Sequence, residues 1–233
     1  MRVRPILAFI AVITFSSCGD SDLDDEDPMA KINRLLEFRE LKLIEAIKAE
    51  QDPAKREQML DELEAMPVEI HRFYSRWMLL HDGNSYQAWS ADGFDHTKAP
   101  IPRDIQLLAA AVYSRADINN GGFHQFFTNS TGMLAPEMVE WLERADFPDA
   151  AEVVKSAMKV FGDEYPRSQA ARVEFLDKFE GETREEWDPF SHLDGPFYED
   201  LSEGRDTFHN AADKWLREVC NIKDLRTPMP SVE

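Results

Sequence analysis

From residue 29 onward apolar residues recur at helical spacing, and no segment alternates apolar and polar with a period of two. Ile32, Leu35, Leu36, Leu43, Ile44 and Ile47 predict a first helix. Asp52-Pro53 reads as an N-cap followed by proline at the first helical position. Met59, Leu60 and Leu63 carry that second helix to a stop before Pro67. Ile70, Phe73, Tyr74, Trp77 and Leu80 give a third with an aromatic core face, ended by Asp82-Gly83-Asn84. Ser85 to Pro102 is less regular and reads as a packed loop around Trp89, Gly93, Phe94 and Asp95. Ile105, Leu108, Ala109, Val112 and Ala116 form an amphipathic helix that runs into a glycine pair. Further helices are predicted from Met138, Val139, Trp141 and Leu142, then from Val153, Val154, Ala157 and Val160. Arg167 to Phe179 predicts another, and Thr183-Arg184-Glu185-Glu186 fits a capping box. A last helix places Phe208, Ala212, Trp215, Leu216 and Val219 on one face. The expected fold is all-α: a single compact helical domain over about residues 29–225, with an exposed tail at 226–233.

One segment departs from this regularity. Asp117-Ile118-Asn119-Asn120-Gly121-Gly122-Phe123-His124-Gln125-Phe126-Phe127-Thr128-Asn129-Ser130-Thr131-Gly132 breaks a helix with two glycines and closes on a third. Glycine tolerates the left-handed backbone that ends helices. Gly122 would let the chain pass close to another element. Phe123, Phe126 and Phe127 stand at i, i+3 and i+4 and make one apolar face. Gln125 and Asn129 share another face and could bond the broken helix end. The bland reading is a kinked helix plugged by aromatics; the sharper one is a ligand site at the kink. Asp117-x-Asn119-x-Gly121 begins like a calcium loop, but positions five and twelve hold Gly121 and Thr128 where oxygen ligands are needed.

Composition changes the picture at the N-terminus and in the charge. Arg2 and Arg4 precede an apolar run from Ile6 to Phe15, too short to span a bilayer. The run ends Phe15-Ser16-Ser17-Cys18-Gly19, which resembles a bacterial lipoprotein signal with Cys18 as the lipidated residue. Residues 1–17 are then a signal peptide. Residues 18–28, with Asp20, Asp22, Asp24, Asp25, Glu26 and Asp27, are an acidic tether. The expected location is the bacterial cell envelope, exported and held to a membrane through that lipid. Cys220, the second of two cysteines, is left as a lone thiol on a helix.

The chain carries a net charge of −19, which repels nucleic acid and anionic lipid and attracts basic partners. Acids are densest at Glu180, Glu182, Glu185, Glu186, Asp188, Asp194, Glu199, Asp200 and Glu203, with Arg184 alone opposing them. They form a candidate acidic binding face; a merely solvated stretch is the plain alternative. The expected partner is a protein with a basic surface, with no direct nucleic-acid contact.

The signature resembles a bacterial family whose named member is a DNA-mimic protein. The matching residues are Asn120-Gly121-Gly122-Phe123, Gln125-Phe126-Phe127, Asn129-Ser130 and Gly132, and the likeness covers roughly Ala99 to Val219. Relatives commonly have glutamate where this chain has Asp117. The resemblance implies an all-helical fold. For the named member it implies binding of a DNA-binding protein through an acidic surface that imitates phosphates. An exported lipoprotein does not meet transcription factors, however, and the signature is not the mimic surface.

Catalytic motifs are sparse. The six histidines include no helical zinc-protease pair, and no nucleophile elbow or phosphate loop occurs. His192 near Asp188 and Asp194 is the nearest approach to a metal cluster, and no metal or cofactor is expected. His124 is the best acid–base candidate, with Asp117 or a distant carboxylate as its partner. Two classes stay open. The first is a non-enzymatic acidic binding or scaffolding module anchored to the envelope. The alternatives are a DNA-mimic inhibitor of a DNA-binding protein and a hydrolase with a site near His124. A deep polar pocket lined by Asp117, His124 and Gln125 would favour the enzyme; a plugged kink and a flat acidic face would favour the binding module.

Overall fold

The computed structural model describes residues 28–67, 72–81, 101–202 and 207–230, with residues 28–34, 200 and 202 described by backbone alone. The signal segment, nearly all of the tether, Ile70, the expected stop at 82–84, the loop around Trp89 and Phe94, the Asp200 side chain and Glu203 lie outside that description. All regular structure among the described residues is helical. None of these helices is long and apolar enough to cross a membrane. Chain contacts divide the described residues into two compact units, one of residues 28–67, 72–81 and 222–229, the other built on residues 101–202 and 207–221.

In the first unit, α1 (Pro28–Ala49), α2 (Pro53–Ala65) and α3 (Phe73–His81) pack together. The apolar spacing read from sequence buries Ile44, Ile47, Leu60, Leu63, Trp77 and Leu80. Asp52 caps α2 as expected, accepting from the Ala54 and Lys55 N–H groups. Leu35, counted in the α1 stripe, is instead exposed, as is Phe38 beside it. Among the described residues an ion pair is fully buried here: Arg76 Nε donates to Glu40 Oε1 at 2.9 Å, and the same guanidinium donates to the Met66 and Pro67 carbonyls. Such a pair persists only because its spare donors are satisfied.

Of the tail expected at 226–233, Arg226 and Thr227 are half-buried, and residues 231–233 lie outside the described residues. Trp77 Nε1 donates to the Thr227 carbonyl at 2.8 Å, and the His81 ring meets the Leu225 carbonyl. Burial holds the His81 pKa below its usual value. Arg226 forms ion pairs with Glu57, Asp61 and Glu64 along α2 and with Asp224. These contacts tie a segment without regular structure to α2 and α3.

The second unit is organised around α4 (Arg103–Thr128), whose residues Ile105 to Ala111 are all buried. A 3-10 turn (Ser130–Leu134) leads to α5 (Ala135–Arg144) and α6 (Pro148–Lys159). Then follow α7 (Gln169–Leu176), the single turn α8 (Arg184–Trp187), α9 (Ser191–Ser202) and α10 (Thr207–Lys214). α4 packs against α5, α7, α9 and the 3-10 turn. The capping box expected at Thr183 is present.

α9 was not legible as a helix, because Gly195-Pro196 interrupts its pattern; Phe197 and Leu201, both buried, hold it. The final helix also differs from its expected register. Trp215–Val219 forms a π turn, with the Cys220 N–H bonded to the Trp215 carbonyl five residues back. The wider turn rotates Val219 off the buried face that Phe208, Ala212, Trp215 and Leu216 share, and Val219 is exposed. Cys220 ends the turn half-buried, and desolvation pushes its thiol up to about 12.

Candidate functional site

The glycine pair breaks α4 in the way its sequence suggests. Gly121 has φ −158° and Gly122 has φ 72°, ψ −175°, a conformation essentially restricted to glycine. A Cβ at Gly122 would lie 2.8 Å from Asp194 Oδ1 and closer still to Oδ2. The backbone therefore approaches a carboxylate on α9, which is the close passage expected at this residue.

The groups freed by the break are satisfied from α9. Tyr198 Oη donates to the Ile118 carbonyl at 2.5 Å and accepts from the Gly122 N–H. The hydroxyl thus stands in the gap of the missing helical bond between residues 118 and 122, a side chain inserted into the ladder. Asp194 Oδ1 accepts from the Phe123 N–H at 2.9 Å and caps the resumed helix. Asp194 also accepts from Arg184 at 2.5 Å, and Arg184 reaches Asp188 at 3.1 Å. Gln125 and Asn129, expected to bond the broken end, do not do so.

Other signature residues have inward tasks. Phe123, Phe126 and Phe127 are fully buried. Phe123 meets Phe197 edge-on, and Phe127 touches Phe161, Tyr165 and Phe190. Asp117 is buried beneath them, bonded to the Thr131 hydroxyl and the Asn129 amide. Desolvation raises its pKa, and the two hydrogen bonds partly oppose that rise. Arg172, wholly buried, donates to the Phe127 carbonyl at 2.9 Å and the Asn129 carbonyl at 2.8 Å. It closes the C-terminal end of α4, where a cation is favoured. A Cβ at Gly132 would lie 2.8 Å from both Arg172 Nε and the Phe126 carbonyl, so glycine is required for this contact.

Outside the break lies an open pocket of about 680 Å³. Asn119, Asn120, Gln125 and Thr128 line one side, and Arg184, Trp187 and Tyr198 the other. His124 contributes its ring, set edge-on against Trp187 with centroids 5.1 Å apart. The expected partnership of His124 with Asp117 does not form: Asp117 faces the interior, and Asp188 and Asp194 are engaged by Arg184. The Thr128 hydroxyl donates to the Gln125 carbonyl of its own helix.

The acidic stretch divides in two. Glu180, Glu182, Glu185, Glu186 and Glu199 are exposed. Glu186 turns back to accept from the Glu182 and Thr183 N–H groups. Asp188 and Asp194 are buried and do not belong to the binding face assigned to them from sequence. Asp188 accepts from the Phe190 N–H and from Arg184, and Asp194 holds the helix break. Their neighbours in sequence gave no sign of this, because a run of acids does not show which members find internal donors. Tyr198, Arg172 and Trp187, also important here, carried no sequence signal: their partners are distant in the chain.

Residues 99–219 match the family model described as DMP19-like protein. No curated protein and no solved structure matches the chain significantly.

Proposed function

Since the chain belongs to the DMP19-like protein family, we propose that it is a non-enzymatic acidic binding module that engages a basic surface on a protein partner. One observation carries the reading. Glu180, Glu182, Glu185 and Glu199 are exposed and make no ion pair among the described residues, in a chain of net charge −19. Carboxylates without local cations leave their field to solvent and attract basic surfaces. The DNA-mimic resemblance supports a more specific form, in which these carboxylates occupy a partner surface that otherwise grips phosphates. The residues around His124 support no comparable catalytic arrangement, since His124 meets Trp187 and its expected carboxylate partner lies elsewhere.

The same proposal includes anchoring at the envelope through Cys18. Arg2, Arg4, the short apolar run and Ser16-Ser17-Cys18 support it. Under that arrangement the partner is an envelope protein.

The test is partner capture by immobilised protein with and without the triple reversal Glu180→Lys, Glu182→Lys, Glu185→Lys. The expected result is loss of a basic partner on reversal, on raising salt, and on adding duplex DNA as competitor. Undiminished recovery after reversal, at low and high salt, would remove any role for the face beyond solubility. Labelling cells with a fatty-acid probe checks the anchor: wild type should be labelled and Cys18→Ala should not, and an unlabelled wild type refutes it.

A further inference from the structure

We infer that the pocket at the α4 break binds a neutral pyranose unit of a saccharide. The pocket's volume of about 680 Å³ suits one or two sugar rings. Its polar equipment has three features that suit hydroxyl groups better than ions. The side-chain amides of Asn119, Asn120 and Gln125 line it and make no hydrogen bond among the described residues. Each amide both donates and accepts, as each sugar hydroxyl does. Second, the cation in the pocket, Arg184, is already paired with Asp188 and Asp194, so an anionic ligand gains no free positive charge. The protein's net charge of −19 opposes anions further. Third, Trp187 is a partly exposed aromatic, its ring fixed edge-on by His124 and its helical turn fixed by the Thr183 capping box. A pyranose has an apolar C–H face that packs on such a ring while its rim of hydroxyls reaches the amides.

The arrangement is also built to stay in place. Asn119 and Asn120 end the first half of α4, and Gln125 lies on the second half. Tyr198 and Asp194 fix the two halves relative to one another. The backbone that carries the amides is thus set before binding, and only their side-chain rotamers are left to order. The inference is independent of the acidic face, and either can fail alone.

The experiment titrates the isotope-labelled protein with maltose, cellobiose and N,N′-diacetylchitobiose, following the side-chain amide resonances and the Trp187 indole. Saturable shifts are expected at Asn119, Asn120, Gln125 and Trp187 with at least one disaccharide. Trp187→Ala, at a partly exposed site, should weaken binding roughly tenfold. Asn120→Ala, also exposed, provides a second variant if the first is poorly folded. Inorganic phosphate should leave these resonances unmoved. The inference is overturned if none of the three disaccharides gives a saturable shift, if both variants bind as wild type does, or if phosphate produces the same shifts.

Discussion

Replacing Gly122 by alanine should destabilise the second unit more than replacing Gly121, although the two glycines are adjacent. At Gly122 the backbone has φ 72°, ψ −175°, and an L-residue held there costs about 1–3 kcal/mol. The new methyl would also displace the Asp194 carboxylate, which lies within 2.8 Å of its position. Displacement removes the cap on the Phe123 N–H, worth about 1 kcal/mol. The accompanying loss of the Arg184 contact adds little, because that guanidinium is half exposed. The expected total is about 2–4 kcal/mol, or roughly 5–15 °C in melting temperature for a chain of this length. At Gly121 the methyl meets the Gln125 side chain, whose amide can change rotamer but whose Cβ, 2.9 Å away, moves only with the backbone, for about 1–2 kcal/mol without the strain of a positive φ. Urea unfolding of both variants measures the contrast. A third variant sharpens it. Asp194→Ala removes the obstacle as well as the cap, so its effect and that of Gly122→Ala should fall short of additivity by about 1 kcal/mol. Gly122→Ala within 0.5 kcal/mol of wild type would refute the reasoning, as would strict additivity of the pair.

Asp117 is buried with its pKa raised, so its neutral form favours the fold; that contribution is present at low pH and lost as pH rises through the folded-state pKa. Asp117→Asn should therefore gain stability relative to wild type as pH rises above about 4, the usual aspartate value, and a difference in unfolding free energy that is flat with pH would contradict this. Arg76→Ala should destabilise the first unit by about 3–5 kcal/mol by stranding the Glu40 carboxylate, whereas Glu40→Met with Arg76→Met should recover most of it in denaturant titrations. Arg226→Ala should cost about 1–2 kcal/mol and expose the C-terminal segment to proteolysis, with the loss shrinking as salt rises; a salt-independent loss would show that packing, not charge, holds the segment.

Periodicity made most of the helices legible, because burial of Leu60, Trp77, Leu108 or Trp141 requires nothing beyond a stripe facing a neighbour. The break at Gly121-Gly122 was legible for a local reason, the conformational freedom of two adjacent glycines. What satisfies the break was not. Gln125 and Asn129 are near in sequence, but the helix geometry directs them elsewhere, Gln125 to the pocket and Asn129 to Asp117. Asp194 and Tyr198 do the bonding from more than seventy residues away, and no spacing rule connects such positions. The acidic run misled in the same way. Asp188 and Asp194 differ from Glu180 and Glu185 only in having donors to accept from, a property of the folded chain. Val219 failed for a subtler reason: a single turn of wider pitch shifts every later position around the axis.

Position 194 can be viewed as part of the signature, though it lies outside the contiguous motif. A methyl at 122 and a carboxylate at 194 compete for one volume, and an uncapped Phe123 N–H needs some acceptor in that volume. Among relatives, the two positions should therefore vary as a pair: glycine at the first with a short acceptor at the second, or both replaced together. A sequence that keeps Gly-Gly-Phe but carries a bulky apolar residue at the position of Asp194 should keep the motif's letters without its backbone path.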